Sequence, residues 1–165
     1  MWKIEIRLQE ISEAKRFYEI LSNPNFIYFS ANPKSVEDEE NWLKESYKSL
    51  ADWSQYNYTV LYDGEIAGWI WVKINAHRKY IGEIWYFIDE KFWWKGITTE
   101  AVKLLEKKCF SDLKLERIEI VMQPENIASE KVAIKAGYIK EWLLKKVLKD
   151  REGNLKDAYL YAKVL

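Results

Sequence analysis

Glu83-Ile84-Trp85-Tyr86-Phe87-Ile88-Asp89-Glu90-Lys91-Phe92-Trp93-Trp94-Lys95-Gly96-Ile97-Thr98-Thr99-Glu100-Ala101 runs from a strand through an aromatic loop straight into a helix. The strand, Tyr80 to Ile88, is apolar on both faces, which places it in the interior of a sheet. The helix, Thr98 to Phe110, turns Ala101, Leu104 and Leu105 inward. Its first N–H groups have no partner within the helix and form an anion site at the positive end of the dipole. Gly96 lets an anion such as phosphate approach that backbone, and Lys95 adds a positive charge beside it.

Outward from this stretch, period-2 and helical patterns alternate. Trp2 to Leu8 predicts a strand. Ser12 is expected to cap a helix carrying Ala14, Phe17, Tyr18 and Leu21, which Asn23-Pro24 ends. Ser35 with Asp38 predicts a second capped helix with Leu43, Tyr47 and Leu50 on one face. The acidic run Glu37 to Glu40 falls in its first turns, where the macrodipole favours it, so it is expected to be helix-end chemistry and not a metal site. Tyr56 to Tyr62, the turn Asp63-Gly64 and Ile66 to Ile74 predict a hairpin. Arg117 to Met122 predicts a strand, and Pro124-Glu125-Asn126 leads into a helix that stops near Ala136 before Gly137. Tyr138 to Lys149 and Leu155 to Val164 predict two long strands. With no linker, repeat or composition break, residues 1–165 are expected to form one α+β domain around a mixed sheet.

The chain has 165 residues, of which 48% are hydrophobic and 32% charged, and its 26 basic residues balance 26 acidic ones. A net charge of zero argues against nucleic-acid binding, because no basic field is left for phosphate backbones. No run reaches the ~20 apolar residues of a membrane helix, and Met1 to Arg7 alternates in charge unlike a signal peptide. A single cysteine rules out an internal disulfide and a multi-thiolate metal site. These counts point to a cytoplasmic protein with no membrane and no metal. The 9 Trp, 11 Tyr and 6 Phe are read first as a heavy aromatic core and second as the lining of a ligand pocket.

Familiar motifs are absent: there is no G-x-G-x-x-G and no G-x-x-x-x-G-K-[ST]. His77, the single histidine, falls in a polar turn, against a hydrolase triad. Cys109 reads as a small buried hydrophobe on its helix.

A second informative segment is Pro124-Glu125-Asn126-Ile127-Ala128-Ser129, followed by Lys135-Ala136-Gly137-Tyr138. Asn126 and Ser129 suit a helix N-terminus. In their order and spacing, the two segments resemble the Gcn5-related N-acetyltransferase (GNAT) superfamily, and within it the ribosomal-protein-type branch. That branch's Glu-Ile-Gly-Tyr-Trp-Ile, Trp-Gly-Lys-Gly-Tyr-Ala-Thr-Glu-Ala and Asn-x-x-Ser…Lys-x-Gly-Phe are similar to residues 83–101 and 126–138. The resemblance implies the GNAT fold, a mixed, mostly antiparallel twisted sheet flanked by helices. It also implies acetyl-CoA as cofactor and an amine-bearing acceptor: a protein N-terminus, an aminoglycoside or a small amine.

Residue by residue, the resemblance assigns Trp93, Trp94, Lys95, Gly96, Ile97, Thr98 and Thr99 to the pyrophosphate loop. Phe87 and Ile88 match the strand end that pairs with the pantetheine arm and holds the thioester carbonyl, with a backbone N–H near Phe87 as oxyanion donor. Asn126 matches the asparagine that bonds the pantetheine region, and Ser129 a serine near the thiol. Trp94 departs from the usual glycine, and Thr98 from glycine or alanine. Ala133 stands where many relatives carry a tyrosine acid.

Amine acetylation needs a deprotonated amine, a stabilised oxyanion and a protonated leaving thiolate. Glu83, a lone carboxylate in an apolar strand, is the expected base; the competing reading is a structural Glu bonded to the next strand. Ser129 is the expected acid, with Tyr138 as fallback, against simple capping. Lys131 and Lys135 stand in reach of a 3′-phosphate or are solvated helix lysines. The acceptor side is expected among the early helices and the last hairpin, with Phe26 to Phe29 and Trp53 lining it or packed in the core. A monomer or homodimer is expected. The competing function is a non-catalytic GNAT-fold module that binds CoA or a partner, which Trp94 and Thr98 favour.

Overall fold

A seven-stranded sheet in the order β1-β2-β3-β4-β5-β7-β6 organises the computed structural model, which describes residues 3–165. The expected strand start at Trp2 lies outside the described residues. The strands are β1 (Ile4–Leu8), β2 (Gln55–Tyr62), β3 (Glu65–Ile74), β4 (Ile81–Ile88), β5 (Arg117–Met122), β6 (Ile139–Lys149) and β7 (Leu155–Val164). The helices are α1 (Ala14–Leu21), α2 (Val36–Ala51), α3 (Ile97–Ser111) and α4 (Ile127–Lys135). All paired neighbours are antiparallel except β4 and β5, which run parallel.

Local chemistry explains most boundaries. Asp63 and Gly64 take φ of 50° and 81°, the left-handed pair that a two-residue hairpin turn needs. Ser35 caps α2 by accepting the Asp38 N–H at 3.1 Å, while the Asp38 carboxylate accepts the Lys34 N–H at 2.8 Å. Ser12 does not cap α1, contrary to expectation. It lies inside a one-turn 3-10 helix, Ile11–Glu13, that precedes α1. Glu13, almost fully buried, does the work instead: its carboxylate accepts from the Glu10 N–H at 2.8 Å and the Thr59 hydroxyl at 2.5 Å, and pairs with Arg7 at 2.7 Å. A charge-assisted clamp to β2 outweighs a hydroxyl cap here.

Two packed layers result. One face of the sheet presents Ile70, Val72, Ile84, Ile118 and Ile120 to α3 and α4. The other presents Trp69, Trp71 and Phe87 to Phe17, Leu21 and Leu43 of α1 and α2. This second core is aromatic: Phe17 stacks on Trp69 at 5.6 Å, and Phe29 lies 5.3 Å from Phe87. Glu37, Asp38 and Glu39 occupy the first turn of α2 as expected, but Glu39 is also buried. It is 4% exposed, between Val36 and Leu43 on the face of α2 that meets this core. Burial raises its carboxyl from 4.5 to about 7.

The feature that positions a site is an interruption of the ladder. The β4–β5 pairing covers only Ile81↔Arg117, Gly82↔Ile118 and Glu83↔Glu119. Beyond Glu83 the two strands diverge, and a gap opens toward the carboxyl end of both.

Candidate active site

Hydrogen-bond alternation identifies which backbone groups face that gap. Ile81 accepts from Asn75, and Asp89 donates to Ala67, so the odd-numbered residues of β4 bond toward β3. Tyr80 accepts from Glu116 and Arg117 on the β5 side, so the even-numbered residues bond the other way. The backbones of Ile84, Tyr86 and Ile88 therefore open into the gap without a strand partner. The Ile88 carbonyl is already taken by the Trp93 indole N–H at 2.6 Å, which leaves the Ile88 N–H as the donor at the strand end. The backbone N–H near Phe87 that faces the gap is thus that of Ile88. Phe87 keeps its backbone in the β3 ladder and contributes its ring.

A cavity of about 580 Å³ occupies the gap, within the usual size range of small-molecule sites. Gly96, Thr98 and Thr99 at the start of α3 form one end of it. Gly96 is the N-cap, at φ 78°, and no side chain caps this helix. The first N–H groups of α3 are therefore unspent, whereas α2 and α4 each spend a side chain on theirs. A Cβ on Gly96 would meet nothing within 4 Å, so the space before the helix is open. Trp94 sits at φ 66°, in the left-handed region that glycine takes freely, and the residue is 79% exposed and borders the cavity. Two expected loop residues are placed elsewhere. Lys95 turns away from the cavity and holds its ammonium over the Phe92 and Tyr62 rings at 5.3 and 5.7 Å, while the Ile97 side chain is sunk in the core. Their contribution reduces to backbone.

On the same side of the sheet, Asn126 caps α4 by accepting the Ser129 N–H at 3.1 Å. Its carbonyl oxygen is spent on the helix, and its amide N–H₂ is left to meet a ligand in the cavity. Ser129 lines the cavity, 9% exposed, with its hydroxyl 2.6 Å from the Tyr86 hydroxyl. Burial pushes the Tyr86 phenol far above its ordinary value, so it stays protonated. The sequence reading missed Tyr86. The signal was there: even positions of β4 face α3 and α4, where an apolar residue would suffice and a phenol needs a partner. Lys131 and Lys135 also border the cavity. Tyr138 does not; it packs in the core below α3, 4% exposed, and the fallback acid is withdrawn.

The opposite wall belongs to the α1–α2 side. Phe26, Tyr28 and Phe29 line it with Trp85 and Phe87, and Leu148 of β6 joins them. The Tyr28 hydroxyl donates to the Glu125 carbonyl at 3.0 Å, so this loop spans the cavity. Arg151, in the β6–β7 turn, donates to the Phe29 carbonyl at 3.0 Å and braces the loop from behind. Trp53 is not part of the wall; it is 72% exposed and packs edge-on against Tyr56.

Glu83 lies at the foot of the gap, on the last paired rung of β4 and β5. Burial and the neighbouring Glu119 raise its carboxyl to about 7, against the opposing pull of Lys73 and the Trp85 indole N–H. It shares a face with Trp85 and Phe87 but does not border the cavity; Trp85 stands between. Four residues of strand, roughly 13 Å, separate it from the level of Phe87.

Open strand backbone, an uncapped helix start and an asparagine amide together make a site for a long ligand that ends in an anion. Together with the GNAT resemblance of the sequence, such a site fits an acyl-CoA-binding transferase. Comparison with known proteins specifies it. Residues 3–139 match the Acetyltransferase (GNAT) domain model, and the chain belongs to that family. It is 31% identical over 144 residues to the Bacillus subtilis (strain 168) protein "Putative ribosomal N-acetyltransferase YdaF", covering 84% of this chain and 79% of the relative. The ribosomal-protein-S5-alanine acetyltransferase from Vibrio fischeri superposes with a TM-score of 0.86 at 22% identity, over 98% of this chain and 92% of that one. The microcin C7 self-immunity acetyltransferase, in complex with acetyl-CoA and AMP, does so at 0.89 and 23%, over 99% and 93%. The chain is thus an acetyl-CoA-dependent N-acetyltransferase with the GNAT fold.

Proposed function

We propose that this enzyme acetylates a primary amine by direct attack within a ternary complex, with the cofactor on the α3–α4 side of the sheet and the acceptor on the α1–α2 side. The observation that carries this division is the unpaired stretch of β4, open to both sides of the sheet between an uncapped helix start and an aromatic wall. When bound, acetyl-CoA supplies the thioester. The unspent N–H groups of α3 would hold its pyrophosphate, and Trp93, Trp94, Thr98 and Thr99 would shape that loop. The Ile84, Tyr86 and Ile88 backbones and the Asn126 N–H₂ would hold the pantetheine arm, with Lys131 and Lys135 toward the 3′-phosphate.

The Ile88 N–H is positioned to donate to the developing oxyanion, an effect worth several kcal/mol in such sites. Ser129 would protonate the leaving thiolate. The Tyr86 hydroxyl, donating to Ser129 Oγ, would turn the serine proton into the cavity. Glu83 would take the amine proton through water, since its distance from the strand end excludes direct transfer. A carboxyl near 7 suits that task at neutral pH.

The acceptor amine, with a pKa of ~8 for a polypeptide N-terminus and ~10 for an alkylamine, is mostly ammonium at neutral pH, which is what makes a base necessary. Polypeptide N-termini, aminoglycosides and small amines belong to the class, and the relatives named for ribosomal proteins support the first. We assign the activity to one domain, acting in the cytoplasm as a monomer or homodimer, without nucleic acid. Among the described residues no helix is long and apolar enough to cross a membrane. An acetyl-CoA turnover screen over amines, aminoglycosides and short peptides, read by free thiol and product mass, tests the proposal. Acetylated product from at least one class is expected; tight acetyl-CoA binding with no product from any class would overturn it.

A further inference from the structure

The acceptor-side wall is chemically one-sided. Its rings are Phe26, Tyr28, Phe29, Trp85 and Phe87, and its polar groups are largely spent: the Asn25 amide nitrogen on Glu90 at 2.9 Å, and the Tyr28 hydroxyl on the Glu125 carbonyl. Gln123 differs. It follows β5 directly, lines the cavity and is 7% exposed, and among the described residues its side-chain amide has no hydrogen-bond partner. Ile118, Ile120 and Met122 of β5 point into the α3–α4 core, so alternation sends Val121 and Gln123 to the α1–α2 side. Its amide faces the open cavity, where both its donor and its acceptor are free to engage a ligand.

Charge gives a second constraint. Glu125 is the only carboxylate among the described residues bordering the cavity, and it is exposed. An acceptor with several ammonium groups would lose its hydration there without counter-charges, which is costly in so apolar a site. We infer that Gln123 is the polar contact for the acceptor, and that the acceptor is a monoamine with an apolar or aromatic body and one amide group beside the amine. The primary amide of Gln123 matches such a group donor to acceptor and acceptor to donor, while the rings take the body. This rests on the cofactor lying on the α3–α4 side.

The test uses the full chain loaded with CoA and titrated calorimetrically with phenylalaninamide, phenethylamine and kanamycin, so that binding is read without turnover. Phenylalaninamide should bind at least tenfold more tightly than kanamycin. Gln123→Leu should weaken phenylalaninamide about fivefold, the loss expected for one net hydrogen bond, and leave phenethylamine, which lacks the amide, within twofold. Gln123→Asn, with the amide withdrawn by one methylene, should fall between wild type and Gln123→Leu. Equal loss for both amines, weaker acetyl-CoA binding by Gln123→Leu, or preference for kanamycin would overturn the inference. Gln123-dependent binding without acetyl transfer would support it and count against the catalytic reading instead.

Discussion

In the proposed mechanism Glu83 and Ser129 divide the proton chemistry, and the structure sets them on opposite sides of one strand. Ser129 is in the cavity, tied to Tyr86. Glu83 is below it, behind Trp85, with its carboxyl raised to about 7 chiefly by burial. Only its ionised form accepts a proton, so kcat/KM should rise with pH through an inflection near 7. Glu83→Gln should lower kcat by about 10² at neutral pH, the usual range for loss of a general base, with acetyl-CoA affinity unchanged. The defect should shrink as pH nears the acceptor's own pKa, where free amine is abundant. An equal loss at every pH, in stopped-flow or steady-state assays, would make Glu83 a positioning residue. Tyr86 shows what single-sequence reading passes over. A strand apolar on both faces hides one phenol among rings, and only the packing of α4 reveals which hydroxyl it meets.

At the scale of elements, the strand-loop-helix junction was legible and its detail was not. The uncapped start of α3 follows from Gly96, and Asn126 as cap of α4 follows from its spacing to Ser129. The orientation of Lys95 does not follow from sequence, because it depends on the left-handed turn at Trp94 and on the rings of Tyr62 and Phe92 brought from β2 and the loop. A non-glycine residue in that conformation costs roughly 1–2 kcal/mol, more for a β-branched one. Trp94 is 79% exposed, so little burial is at stake there. Trp94 already bears that cost, so Trp94→Val should lose only the further β-branched increment in chemical denaturation, while Trp94→Gly, which removes the cost, should be at least as stable as the parent. Equal stability of the two variants would mean that the turn relaxes out of the left-handed region.

Across the whole molecule, element order and sheet class could be read from periodicity, but the gap between β4 and β5 could not. Its position depends on where a parallel register ends, and no single strand encodes that. Nor did the acidic run at the start of α2 reveal that Glu39 alone would be buried, since a helical face acquires a burial pattern only from what packs on it. Glu39 and Glu83 both carry folded values near 7 against an ordinary 4.5. The folded chain thus binds more protons than the unfolded one between about pH 4.5 and 7, and stability from these groups is full below that window and lost as pH rises through it. Glu39→Gln removes one such group. Its stability relative to the parent should rise from pH 5 to pH 8 in urea melts, and a constant difference would show that Glu39 is not strained by its charge. All of these expectations presume that the cofactor enters where the helix start is open. Calorimetric titration of acetyl-CoA into the parent and Gly96→Val, with melting curves to confirm folding, tests that most directly. The variant should bind at least tenfold more weakly, about 1.4 kcal/mol, because a branched side chain would fill the open space before α3; unchanged affinity in a folded variant would contradict the account.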